Sequence, residues 1–137
     1  MPEIYEYFHT VGEDEIDDLD HANNVAYVQW MQSAAVAHSA AQGWPAEKYR
    51  RLGFVWVARS HTIEYHRPAR AGDRVIVRTW VATMKKVTSV RRYRMLRETD
   101  GELLATAETK WAFVDLATGQ PARIPAEIAR SFAVVEH

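Results

Sequence analysis

One long helix in an otherwise strand-like chain is the strongest constraint on how this sequence folds. Residues 22–42, "ANNVAYVQWMQSAAVAHSAAQ", hold no glycine or proline. They predict a helix from Ala22 to Gln42 that stops at Gly43, where glycine suits the C′ position. Pro45 reinforces the stop. Ala26, Ala34, Ala37 and Ala41 recur at helical spacing among Val25, Val28, Trp30 and Met31. Small residues let a helix lie close to whatever it packs on. Beyond it, only a short segment near 126–133, opened by Pro125, reads as helical, so the long helix must pack on a sheet.

The remaining segments supply that sheet. Residues 4–11, "IYEYFHTV", are rich in β-branched and aromatic types. Segments 54–66, 73–84, 87–98 and 102–116 follow, joined mainly by short turns. Val75, Val77, Thr79 and Val81 share one face by period-2 alternation. Asp100-Gly101 is a strong hairpin signal. In the last strand Leu103, Ala105, Ala107, Trp111 and Phe113 share a face opposite Glu102, Thr106, Glu108 and Lys110. Its small Ala105 and Ala107 mark it as the strand against which the helix rests. The order is strand, helix, four strands, which one antiparallel sheet wrapping one central helix satisfies. Ile76 and Trp80 fall on the opposite face and need cover too, which predicts a homo-oligomer.

With 137 residues the chain suits one domain, 1–137. Hydrophobic residues make up 47%, enough for a globular core. The net charge of -1 gives no pull toward nucleic acid or anionic membranes. The chain has no cysteine, which excludes disulfides, thiolate metal sites and a cysteine nucleophile. No signal-like start and no membrane-length apolar run are present, so a soluble cytoplasmic protein is expected. No G-x-S-x-G occurs, which removes a serine hydrolase elbow. His61 and His66 point to opposite faces of one strand and form no metal pair. The acids at 13–20 lack calcium-loop spacing. No metal and no cofactor are expected.

The polar chemistry concentrates in "DDLDHANNVAY", residues 17–27, at the start of the helix. Helix N-termini carry unpaired N–H groups and partial positive charge. Asp20 or Asn23 could therefore serve as a cap. The same N–H groups can also stabilise an oxyanion. A carboxylate one turn away could attack a carbonyl or activate water. Capping alone requires neither both asparagines nor His21.

This stretch resembles the Asp-x-x-Gly-His-x-Asn-Asn-x-x-Tyr signature of hotdog-fold acyl-CoA thioesterases, the 4-hydroxybenzoyl-CoA thioesterase-like family. "IEYHRPARAGDRVIVRTWV" is similar to that family's strand–turn–strand, and "FVDLATGQPARIP" to its closing strand and turn. The resemblance covers nearly the whole chain. It implies an α+β hotdog fold, an antiparallel sheet wrapped around one long central helix with a short C-terminal helix. It implies hydrolysis of a small or medium acyl- or aryl-CoA, and homodimers or homotetramers with active sites between subunits.

Asp17 matches the family's catalytic carboxylate and Asn24 its oxyanion-binding backbone N–H. His21, Asn23 and Tyr27 match the motif and are candidate substrate-binding residues, although His21 and Asn23 could equally orient the loop. Asp20 stands where the family usually has glycine; it adds a carboxylate near Asp17 and could compete for the catalytic role or coordinate an ion, and Asp18 is the third candidate. Gln32 replaces an acid and Ala35 a basic residue common in relatives. Lys85, Lys86 and Arg91 are candidates for the coenzyme A phosphates; a solvated, charge-lined hairpin is the simpler reading. Two alternatives stay open, an acyl-carrier-protein thioesterase and a non-catalytic acyl-thioester binder. A hotdog dehydratase fits less well, since His38 lies far from the helix start.

Overall fold

The computed structural model describes residues 4–136. Alternation of apolar and polar residues drives five segments into strands: β1 (Tyr5–Thr10), β2 (Phe54–Tyr65), β3 (Arg74–Met84), β4 (Thr88–Arg97) and β5 (Leu103–Asp115). All pairings are antiparallel, in the order β1-β3-β4-β5-β2. The long helix α1 (Asn24–Ala41) crosses one face of this sheet. The fold is the hotdog that the sequence motifs implied.

α1 starts two residues later than expected, because Asn23 acts as its N-cap. It ends at Ala41, and Gly43 follows at φ 93, a conformation glycine adopts without strain. A six-residue helix, α2 (Ala46–Arg51), follows Pro45 and was not expected from sequence. The terminal helix α3 is shorter than expected, Ala126–Ala129.

Val75, Val77, Thr79 and Val81 are all buried on one face of β3, as their alternation predicts. On β5 the inward set differs. The β4–β5 register shifts between Met95 and Leu96, and Leu104 rather than Leu103 is buried beside Ala105. Ala26, Met31 and Ala34 of α1 share one core with Val75, Val77, Tyr93, Met95 and Ala105, with Ala107 packed against it. Burying a side chain such as Met31 contributes about 1.5–3 kcal/mol. The helix nevertheless runs closest to β1 and β3, not to β5.

Trp80 finds its cover within the chain. Val135 N–H donates to Val81 C=O at 2.9 Å, and Trp80 packs with Ala82 and Val135. The C-terminal tail thereby continues along β3 past the stretch, Arg74–Thr79, that β1 pairs.

Candidate active site

The loop before α1 is a tight reversal. Ile16 and Ala22 form an antiparallel bridge, and Asp17 N–H donates to His21 C=O at 2.8 Å. Asp20 N–H donates back to Asp17 C=O at 3.1 Å. The reversal puts Asp20 at φ 62, in the left-handed region. Glycine enters that region freely, and aspartate more readily than most other residues. The reversal therefore sets a backbone requirement at this point, which Asp20 meets.

Asp17 is exposed, yet its carboxylate is oriented. Oδ1 accepts from Leu19 N–H at 2.9 Å and from His21 N–H at 3.2 Å. Among the described residues nothing donates to Oδ2, which stays open to a reactant. His21 is half-buried, and its backbone holds Asp17 through both its N–H and its C=O.

Asn23 is committed to the fold. Its Oδ1 accepts from Ala26 N–H at 2.9 Å, and its Nδ2 donates to Glu15 C=O at 3.0 Å. Asn24 is the first residue of α1 and is exposed. A first-turn N–H has no acceptor within its own helix, and among the described residues Asn24 N–H finds none elsewhere. It carries the positive end of the helix dipole at the surface.

The remaining expected site residues are Tyr27, Arg91, Lys85 and Lys86. Tyr27 packs in the core beneath the first turn of α1. It is buried, its hydroxyl accepts from Ala69 N–H at 3.3 Å, and its ring packs on Trp30 and edge-on to Tyr65. Burial pushes its phenol pKa up, against the Ala69 hydrogen bond. Arg91 is buried as well and does not belong to a solvated strand face. Lys85 and Lys86 are exposed in the β3–β4 turn. That turn lies at the Phe54 end of the sheet, whereas Asp17 and α1's first turn lie at the Tyr65 end.

Glu15 was missed and anchors this loop. Its carboxylate accepts from His9 Nε2 at 2.7 Å, Gly12 N–H at 2.9 Å and Trp30 Nε1 at 2.9 Å. Burial would raise its pKa, but the three donors outweigh it and hold the carboxyl below its ordinary value. Its most distant partner, Trp30, is fifteen residues away, so no local pattern marks the link. The turn before β3 buttresses the loop from the other side, where Ala69 C=O accepts from Ala22 N–H at 2.7 Å. This contact ties together two motifs far apart in sequence.

A second feature lies at the other end. A cavity of about 170 Å³ opens between the C-terminal half of α1, α2 and the sheet. Trp44, Tyr49, Trp56, Trp111 and Phe132 are among its walls, and Arg91 lines it. Tyr65 lies nine residue steps along β2 from Trp56, roughly 30 Å at strand rise. Within one chain this cavity and Asp17 are therefore far apart. Among the described residues no three His, Asp or Glu side chains group as a metal site. No described helix is long and apolar enough to cross a membrane.

Residues 11–132 match the thioesterase-like superfamily, and the chain belongs to it. The fold and family define a thioester hydrolase. No curated protein matches the chain. Among solved structures, the 1,4-dihydroxy-2-naphthoyl-CoA thioesterase of Synechocystis is similar, with TM-score 0.88, 18% identity and 98% of each chain covered. The DHNA-CoA thioesterase of Staphylococcus aureus gives TM-score 0.83 at 21% identity, covering 88% of this chain and 80% of its own. An acyl-ACP thioesterase from Bacteroides thetaiotaomicron gives 0.81 at 20% identity, covering 88% of this chain and 49% of its own. At such identities the likeness shows the fold alone.

Proposed function

We propose that this protein hydrolyses acyl-coenzyme A thioesters, with Asp17 as the reacting carboxylate and the first turn of α1 as the oxyanion site. The observation that carries this reading is the geometry of Asp17. One oxygen is fixed by two backbone N–H groups, and the other is open, in the loop that leads directly into α1. Two similar structures carry aryl-CoA thioesterase names, which supports an aryl- or short acyl-CoA.

The thioester oxygen accepts from Asn24 N–H, which stabilises the negative charge that develops there. Two routes follow. In one, Asp17 Oδ2 attacks the carbonyl carbon, the C–S bond breaks, and a mixed anhydride forms with release of the thiolate. Water then cleaves the anhydride and restores Asp17. In the other, Asp17 takes a proton from water, hydroxide adds to the carbonyl, and collapse expels the thiolate. The His21 backbone and the Asn23 side chain hold this geometry.

The working unit we infer is a homodimer built through β2. This twelve-residue edge strand pairs only with β5 among the described residues, and Val57 and Tyr65 are exposed on it. Long unpaired edges invite strand pairing. Antiparallel pairing of two β2 strands sets the Tyr65 end of one subunit beside the Trp56 end of its partner. Asp17 of one copy then faces the partner's cavity, and exposed Lys85 and Lys86 of that partner come to the side where coenzyme A phosphates leave the site.

Thiol release from a panel of acyl- and aryl-CoA thioesters tests the function. The absence of cysteine keeps the protein silent to a thiol reagent. Release proportional to enzyme supports hydrolysis. Release only from acyl groups on a carrier protein moves the assignment to that partner. Binding without release from either makes the protein a thioester binder.

A further inference from the structure

Arg91 is only 6% exposed and holds a charge that the proposed hydrolysis does not use. Its Nη1 donates to His38 Nδ1 at 2.9 Å and to Thr79 Oγ1 at 3.1 Å. A guanidinium has five N–H donors. The three on Nε and Nη2 find no acceptor among the described residues. No described carboxylate lies within ion-pair distance of Arg91, although seven other arginine–carboxylate contacts occur among the described residues. A buried cation without a counter-charge is costly and calls for a reason.

The reason on the page is the cavity that Arg91 lines. Its volume, about 170 Å³, is of the order of an engineered cavity, ~150 Å³, that accepts benzene. The aromatic walls suit a flat ring. Exposed Val36 and Arg50 stand where the cavity reaches the surface, and Arg50 adds positive charge there. His38 and Thr79 hold the guanidinium through its Nη1.

We propose that this cavity is a subsite for a ring-sized acyl group whose far end carries a carboxylate or other hydrogen-bond-accepting oxygen, received by Arg91. The proposal rests on the hydrolase and the β2 dimer argued above, since the chain's own Asp17 lies at the far end of the sheet from this cavity. Arg91 then selects substrate at the end remote from the thioester. An acyl group with an apolar end leaves the guanidinium buried and unpaired, and is disfavoured.

Two measurements on the intact protein test this. The first titrates benzoate and toluene while reading tryptophan fluorescence, since Trp44, Trp56 and Trp111 line the cavity. Benzoate binds more tightly than toluene, by roughly 10–100-fold, the range for a hydrogen bond to a charged group. Arg91→Met loses that margin and keeps toluene. Equal benzoate affinity in wild type and Arg91→Met, or no saturable benzoate binding, overturns the subsite. Should Arg91→Met fail to fold, Val36→Phe at the exposed mouth fills the entrance. It abolishes binding of benzoate and toluene alike, and retained benzoate binding there overturns the proposal.

The second compares kcat/KM for 4-carboxybenzoyl-CoA and 4-methylbenzoyl-CoA. Wild type prefers the carboxylate by a similar factor, expressed in KM, and Arg91→Met does not. Equal turnover of the two in wild type overturns the acyl role. The benzoate titration involves no thioester, so it stands even if hydrolysis fails. Hydrolysis without benzoate binding removes the subsite and leaves the hydrolase.

Discussion

Asp20 and Asn24 show how a side chain and a backbone group divide the work at a helix start. Asp20 occupies φ 62, so the reversal needs its backbone conformation more than its carboxylate. Asp20→Gly should change stability by less than about 1 kcal/mol, whereas Asp20→Val should cost about 1–2 kcal/mol; thermal unfolding reads both. For Asn24 the active element is the N–H. Proline is well tolerated at the first helical position, and Asn23, at φ -70 and ψ 157, already has the conformation a following proline requires. Asn24→Pro should fold normally and lose about 10²–10³ in kcat, while Asn24→Ala keeps most activity. Equal activity in the two would remove the oxyanion role. Asp17 and Asn24 stand out in the sequence as candidates because their chemistry sits in one short motif. Tyr27 belongs to the same motif but serves the core, which no sequence spacing could reveal. Arg91 was readable in principle, since it alternates in phase with Ser89, Tyr93 and Met95, all buried. Its charge hid that phase.

At the scale of elements, α1 and its entry loop depend on Glu15. Its folded pKa lies below the ordinary 4.5. A depressed carboxyl contributes stability in full above its unfolded value and loses it as pH falls through the folded value. Stability should therefore fall as pH drops below about 4.5, with Glu15 one contributor. Glu15→Gln should lower stability at neutral pH by about 1.5–3 kcal/mol and flatten that acid limb; denaturant melts at pH 7 and pH 3.5 give both. An unchanged acid limb would mean the loop does not need the charge. The five strands and the long helix were legible from alternation, hairpin chemistry and a glycine stop. The six-residue α2 was not, because its cap, Pro45, makes no side-chain hydrogen bond and the segment is too short to show periodicity. The resting place of α1 was misjudged for a related reason. Small alanines show that something packs closely, but not which strand, and the bulge at Leu104 was invisible in the pattern.

At the scale of the whole molecule, the proposed site shared between Asp17 and the aromatic cavity needs two copies. One chain holds Asp17 at one end of the sheet and the aromatic cavity at the other, and β2 is the edge that can join them. Sedimentation should give a mass of at least twice 15.7 kDa. Val57→Arg on the exposed edge should dissociate the assembly and abolish turnover with Asp17 intact. An active monomer would refute the two-chain site. Trp80 made oligomer formation look necessary from sequence, yet the C-terminal tail covers it; the case for a dimer now rests on the open β2 edge. The central claim is that Asp17 reacts with a thioester. Its most direct test is steady-state thiol release by wild type and Asp17→Asn on one aryl-CoA substrate, at matched fold stability. The expected result is a fall in kcat of about 10²-fold or more, with KM little changed. Near-wild-type kcat in Asp17→Asn would contradict it and return the loop to the role of a helix cap.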